Sequence, residues 1–261
     1  MYLPAGRVLA FAHRGGATHP EIDGLENTLT AFQHAWDLGY DYLETDVHVT
    51  RDGALLAFHD DVVDRVTDGT GAVGDLTLAQ IRRLRIAGRE PIPTLGELVE
   101  AFPHARFNID LKSERAADAL ARYVAAHDLA DRVLVGSFSI RRIREFRRRT
   151  AAAVPTAAHP WEILAYRLSP TAGIARRLTS RRCAALQLPA RRGPLRVVTA
   201  GLIRRAHANG VQVHVWTVDD PAQMHELLDL GVDGLFTDRT DLLKDVLTTR
   251  GQWWSPRGGD R

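Results

Sequence analysis

Apolar positions in this chain fall into short runs separated by stretches with helical spacing. Runs at residues 8–12, 40–47, 106–112, 132–136, 151–157, 183–188, 211–216 and 233–237 predict eight strands. Between them, helices are predicted over residues 77–84, 95–101, 115–127, 140–148, 199–209, 220–230 and 242–248, with further helical segments between 160 and 179. Another opens at Glu26-Asn27-Thr28, with Asn27 or Thr28 as cap and Gly39 as stop. Strands alternating with helices imply a parallel sheet, and eight such units predict a closed (β/α)8 TIM barrel of the α/β class. An open doubly wound sheet is the competing architecture, but no Gly-x-Gly-x-x-Gly follows the first strand. Residues 49–75 lack a long helix and form a small insertion after strand 2, a candidate active-site loop. One domain over residues 1–250 and a flexible tail over 251–261 are expected.

Strand alternation then sorts the polar residues. Residues i and i+2 of a strand share a face, so Glu44 and Asp46 project together. Asn108, Asp110 and Lys112 do the same. In a barrel of this kind, function collects at the C-terminal ends of the strands. His13 and Arg14 end the first strand there, Trp216 ends the seventh, Asp238 follows the eighth, and His59 arrives on the insertion. Glu44, Asp46 and Asp110 make a three-carboxylate site suited to Mg2+ or Ca2+. Arg14 and Lys112 beside these acids suit an anionic substrate, for which a phosphate is the simplest fit. The alternative for Lys112 is an inter-strand ion pair with Asp110 or Glu44. His13 and His59 are candidates for general acid and general base, with Asp60 able to orient an imidazole and His48 in a supporting position.

Bulk properties narrow the classes. Hydrophobic residues make up 45% of the chain, enough for a substantial core, and the formal net charge is only +2. Arginine pairs and triplets at 141–142 and 147–149 read as solvated helix faces, since no groove-reading nucleic-acid motif accompanies them. The one cysteine, Cys183, excludes an intrachain disulfide and reads as a core residue. No targeting segment, membrane span or amphipathic membrane helix is evident. The expectation is a cytoplasmic protein without stable membrane insertion, with oligomeric state left open. Trp253 and Trp254 are expected to pack on the outer helices.

Taken in order, His13-Arg14-Gly15, Glu26-Asn27-Thr28, Glu44-Thr45-Asp46-Val47, Thr50-Arg51-Asp52-Gly53, His59-Asp60, Ile92-Pro93-Thr94-Leu95, Asn108-Ile109-Asp110-Leu111-Lys112, Val215-Trp216-Thr217-Val218 and Thr237-Asp238-Arg239 resemble the glycerophosphodiester phosphodiesterase family. The resemblance implies a metal-dependent hydrolase that cleaves glycerophosphodiesters to glycerol 3-phosphate and an alcohol. It implies His13 and His59 as the acid/base pair, Arg14 and Lys112 as phosphate contacts, Glu44 and Asp46 as metal ligands, and Trp216 as a pocket aromatic. Asp110 stands where the family usually has Glu, and Leu25 where it usually has Pro. Glu26 is expected to fix its loop rather than bind metal. Two competing readings are a phospholipase D-type activity on lysophospholipids and a non-catalytic phosphodiester-binding barrel.

Overall fold

The computed structural model describes residues 2–179 and 183–255. Ten strands are found among them: β1 Leu9–His13, β2 Tyr42–Val49, β3 Leu55–Ala57, β4 Arg106–Leu111, β5 Val133–Gly136, β6 Ala185–Pro189, β7 Arg191–Arg192, β8 Leu195–Arg196, β9 Gln212–Trp216 and β10 Gly234–Thr237. The α-helices are α1 Leu29–Leu38, α2 Leu78–Ile81, α3 Leu95–Ala101, α4 Ala116–Ala126, α5 Ile140–Arg149, α6 Pro160–Leu168, α7 Ala172–Leu178, α8 Ala200–His207, α9 Pro221–Leu230 and α10 Thr240–Thr249. Seven strands pair in the order β5-β4-β2-β1-β10-β9-β6, all in parallel.

Closure comes from a segment too short to count as a strand. Thr156 bridges Val135 of β5, and Ala157 bridges Ala185 of β6, both in parallel. The barrel is therefore complete, with an eighth member of minimal length. The expected strand over 151–157 shrinks because α5 ends in a turn, with Ala151 and Ala152 at φ 47 and 58. The strand expected from Cys183 begins at Ala185, and residues 180–182 lie outside the described residues. Of the expected tail, residues 251–255 are described, and Trp253 sets its ring 5.1 Å from Tyr40. The remainder lies outside the described residues.

Local rules account for the other elements. The Thr28 hydroxyl caps α1 by accepting from the Ala31 N–H, and Gly39 ends the helix at φ 102. Inside the barrel, Phe11 stacks on Phe236 with ring centroids 4.2 Å apart, and Tyr42 packs edge-on to Phe11. His214 is fully buried there, and burial pushes its pKa down to about 3, so it is neutral. The insertion after β2 folds back as β3, antiparallel to β2, and builds a small core of its own around Leu56, Phe58, Val63 and Ile86.

Helix α6 departs from the usual inside-out rule. Its buried residues are Glu162 and Tyr166, whereas Trp161, Leu164 and Leu168 face solvent. Arg147 of α5 holds Glu162 inside through paired hydrogen bonds of 2.8 and 3.0 Å. A buried ion pair thus sets the rotation of α6 so that Trp161, Leu164 and Leu168 point outward. Among the described residues no helix is long and apolar enough to cross a membrane.

Candidate active site

The C-terminal ends of the barrel strands surround a cavity of about 290 Å3. Its lining includes His13, Arg14, Glu44, Asp46, His59, Asp110, Lys112 and Trp216, so these eight residues reach one pocket, while Asp238, Asp60 and His48 stand behind its wall. The pairing register explains the convergence. Parallel pairing sets His13 beside Glu44, Glu44 beside Asn108, and Asp46 beside Asp110.

Cations stand between the carboxylates. Lys112 Nζ lies 3.0 Å from Asp46 Oδ1 and 2.7 Å from Asp110 Oδ2. Arg14 Nε is 3.2 Å from the other Asp46 oxygen, and the Arg14 backbone N–H donates to Glu44 at 3.0 Å. Lys112 and Arg14 hold the Asp46 carboxyl below the usual range even though burial pulls the other way. Burial, reinforced by the Asp46 charge, pushes Glu44 up to about 7. Asp110 is also raised by burial, against the pull of Lys112. The Lys112 ammonium makes two acid contacts at once: Asp110, one of the partners the sequence offered, lies two residues before it, and the partner across strands is Asp46 rather than Glu44.

Each histidine is held by a carboxylate. His13 Nδ1 donates to Asp238 at 2.8 Å, and its Nε2 faces Glu44 at 3.9 Å. Desolvation alone would lower the His13 pKa, but Glu44 and Asp238 outweigh it and lift it to about 9. His59 Nδ1 donates to Asp60 at 2.5 Å. Arg65 grips the other Asp60 oxygen and also binds both oxygens of Glu26. Glu26 in turn accepts from Arg14 at 3.2 Å, so it fixes the loop. His48 donates from Nε2 to the His59 carbonyl at 3.1 Å and anchors the residue from behind.

Several contributors carried little sequence signal. Asp238 is 225 positions from His13, and no local pattern joins them. Arg65 lies in the irregular insertion. Asn27 sits at φ 58, donates to Asp46 at 3.3 Å and accepts from Thr45 at 2.8 Å. Its place beside the predicted cap was visible, but its reach to Asp46 was not. Gly15 and Gly16 let the first loop approach closely: a Cβ on Gly15 would sit 2.7 Å from the Ala31 Cβ, and one on Gly16 2.7 Å from Thr240. At the mouth, Phe138 packs edge-on to Trp216 with centroids 5.7 Å apart.

Among the described residues, the one group of three or more possible ligands whose donor atoms all lie within 4.8 Å of one another is His19, Glu21 and His34. It does not line the pocket. Glu44, Asp46 and Asp110 do not draw that close, with Lys112 and Arg14 set among them.

The sequence profile of the glycerophosphoryl diester phosphodiesterase family matches residues 13–242. A Mycobacterium tuberculosis protein named "Probable glycerophosphodiester phosphodiesterase 2" is 40% identical over 256 residues, covering 97% of this chain and 95% of its own length. A glycerophosphodiester phosphodiesterase of Caldanaerobacter subterraneus is 31% identical over 94% of this chain and 100% of its own. The crystal structure of an Agrobacterium tumefaciens glycerophosphodiester phosphodiesterase superposes with a TM-score of 0.72 at 25% identity, over 90% of this chain and 99% of that one. An Oleispira antarctica phosphodiesterase solved with its product sn-glycerol-3-phosphate shares the fold at a TM-score of 0.74 and 22% identity, over 95% of this chain and 98% of that one. With the family profile spanning most of the chain and a full-length relative at 40% identity, the chain belongs to the glycerophosphoryl diester phosphodiesterase family.

Proposed function

We propose that this protein hydrolyses glycerophosphodiesters to glycerol 3-phosphate and an alcohol, with a divalent cation as cofactor. The observation that carries the reading is two imidazoles, each oriented by its own carboxylate, lining the same pocket as Arg14 and Lys112. Charge supports the cation. Glu26, Glu44, Asp46, Asp60, Asp110 and Asp238 outnumber Arg14, Arg65, Lys112 and protonated His13, so a phosphodiester anion entering alone would add to a negative surplus. Glu44, Asp46 and Asp110 offer only oxygen donors, a set that fits Mg2+ or Ca2+, and they are the residues that would hold the ion. When bound, it supplies Lewis-acid neutralisation of phosphate charge.

The chain's own groups supply the rest. Arg14 and Lys112 bind and orient the phosphate oxygens and stabilise the charge that grows on them. His59, with its Nδ1 proton committed to Asp60, has Nε2 free to take a proton from the nucleophile. His13, protonated at neutral pH, donates from Nε2 to the departing alkoxide as the P–O bond breaks. Trp216 lines the pocket wall and gives the substrate an aromatic face. The nucleophile is water, or the substrate's own neighbouring hydroxyl with a cyclic phosphate formed first.

The test is an assay of glycerophosphocholine hydrolysis after chelation, with Mg2+ or Ca2+ added back. Activity must vanish and return, and His13→Ala and His59→Ala must each lose at least ~10²-fold in rate. Near-normal turnover by both variants contradicts the acid/base assignment. Rescue that survives Glu44→Gln but fails in His19→Ala would move the ion to the His19 cluster. A cyclic phosphate accumulating on either histidine variant identifies the substrate hydroxyl as nucleophile. The apolar mouth formed by Phe138, Ile163 and Trp216 favours a second reading, lysophospholipid hydrolysis by the same chemistry, measured by substituting a lysolipid in the assay. A cytoplasmic location, consistent with one buried free cysteine, is part of the proposal and is checked by cell fractionation.

A further inference from the structure

We infer that the flank of the barrel formed by α6 and α7, beside the pocket mouth, docks on an anionic phospholipid surface. Trp161, Leu164 and Leu168 follow i, i+3, i+7 spacing along one face of α6. All three are exposed, Trp161 at 66% and Leu168 at 68%. On α7, Ile174 and Leu178 repeat the pattern at i, i+4 and are exposed as well. Scattered apolar residues on a surface need no explanation, but five exposed apolar side chains on two helices that pack against each other concentrate on one flank. The buried Arg147–Glu162 pair fixes the rotation of α6 and so commits its stripe to the outside.

Charge names the occupant. Residues 160–199 contain eight arginines and one acid, and that acid is the buried Glu162. Arg176 and Arg177 of α7 and Arg191 and Arg192 of β7 are exposed and make no ion pair among the described residues. β7 and β8 form a hairpin rising from the C-terminal end of β6, the strand next to the closing segment that leads into α6. Arg196 of β8 is paired with Glu226, which leaves Arg176, Arg177, Arg191 and Arg192 as the flank's unpaired cations beside its apolar stripes. That combination matches a bilayer with anionic head groups: apolar side chains enter the acyl boundary while arginines meet the phosphates. A second copy of the same face would bring unpaired arginines against arginines. Pro160 and Ile163 at the start of α6 line the catalytic pocket, so docking here sets the mouth beside the lipid.

The experiment measures binding without turnover, so it stands or fails apart from the phosphodiesterase reading. The full chain is sedimented with vesicles of phosphatidylcholine alone, and with vesicles containing about 30 mol% phosphatidylglycerol. The expected result is binding to the anionic vesicles, at least ~10-fold stronger than to the neutral ones and weakened by salt. Trp161→Ser with Leu168→Ser, and separately Arg177→Glu with Arg192→Glu, should each reduce that binding at least ~10-fold. Both variants should retain the wild-type circular dichroism and the hydrolysis rate on a soluble diester. Equal binding to both vesicle types, no binding, or undiminished binding by both variants overturns the inference. So does a concentration-dependent dimer that Trp161→Ser dissolves while vesicles are ignored, since the face would then belong to a second copy.

Discussion

Replacing Arg147 by Met should test whether the barrel's shortest strand is held by one buried cation. Arg147 and Glu162 are each 6% exposed and share two hydrogen bonds of 2.8 and 3.0 Å. The same guanidinium donates to Thr156 Oγ1 at 2.8 Å and to the Ala157 carbonyl at 3.3 Å, the two residues that close the sheet. Arg147→Met keeps an apolar stem but leaves Glu162 buried without its counter-charge. Breaking a buried pair from one side costs about 3–5 kcal/mol. That is a large share of the ~5–15 kcal/mol that stabilises a typical domain. Arg147→Met with Glu162→Met removes both charges and should recover most of the loss, apart from ~1 kcal/mol for the Glu162 cap on the His159 N–H. Urea unfolding followed by circular dichroism gives both numbers. Hydrogen exchange at the Ala157 and Ala158 amides, bonded to Val135 and Ala185, reports opening at the seam itself. A loss below ~1 kcal/mol in the single variant, or a double variant as unstable as the single, would refute the reasoning.

If His13 is the general acid proposed above, Asp238→Asn should lower kcat by about 10²–10⁴, as the carboxylate orienting its imidazole is lost. It should also change the pH dependence of stability. The His13 pKa is raised from 6.5 to about 9, so the imidazolium stabilises the fold fully below its unfolded pKa and that contribution is lost as pH rises through about 9. The variant is therefore more destabilised at about pH 6 than at about pH 10, and urea titrations at both values check the sign. Lys112→Met leaves Asp46 and Asp110 facing each other without the ammonium and should cost about 10²–10³ in kcat, read from steady-state kinetics at saturating cation. Gly15→Ala forces a side chain into φ 87 and to within 2.7 Å of the Ala31 Cβ; a stability loss of about 1–3 kcal/mol by thermal or urea unfolding is expected.

The sequence carried whatever depended on local periodicity. Two-residue alternation paired Glu44 with Asp46 and Asp110 with Lys112, and the rule that barrel chemistry gathers at strand C-termini brought His13, Arg14 and Trp216 to the same rim. The structure sets all of them around one cavity. Capping chemistry located both ends of α1. What stayed hidden depended on distance along the chain or on competition between charges. His13 meets Asp238 only because β1 and β10 pair in the closed sheet. Arg65 joins Glu26 to Asp60 across an insertion with no regular pattern. The three carboxylates read as a ready ion cage, but spacing says nothing of Lys112 bridging two of them. Residues 151–157 read as a full strand because apolar content was visible and the left-handed turn at Ala151–Ala152 was not.

The rotation of α6 shows where periodicity and energetics part. Spacing alone would turn Trp161, Leu164 and Leu168 inward and Glu162 outward. Burying such side chains contributes about 1.5–3 kcal/mol each, whereas a buried ion pair gives little net stability against apolar residues of the same size. On folding energy alone the opposite rotation, with a neutral residue at 147, would be favoured. The observed one leaves three apolar side chains in water and takes two charges out of it. A molecule that forgoes this burial beside its catalytic mouth, within a stretch holding eight arginines and one acid, has its apolar stripe where something other than its own core can cover it. In the Arg147→Met, Glu162→Met chain, retained stability together with lost vesicle binding would show that the pair's role is to aim α6 outward.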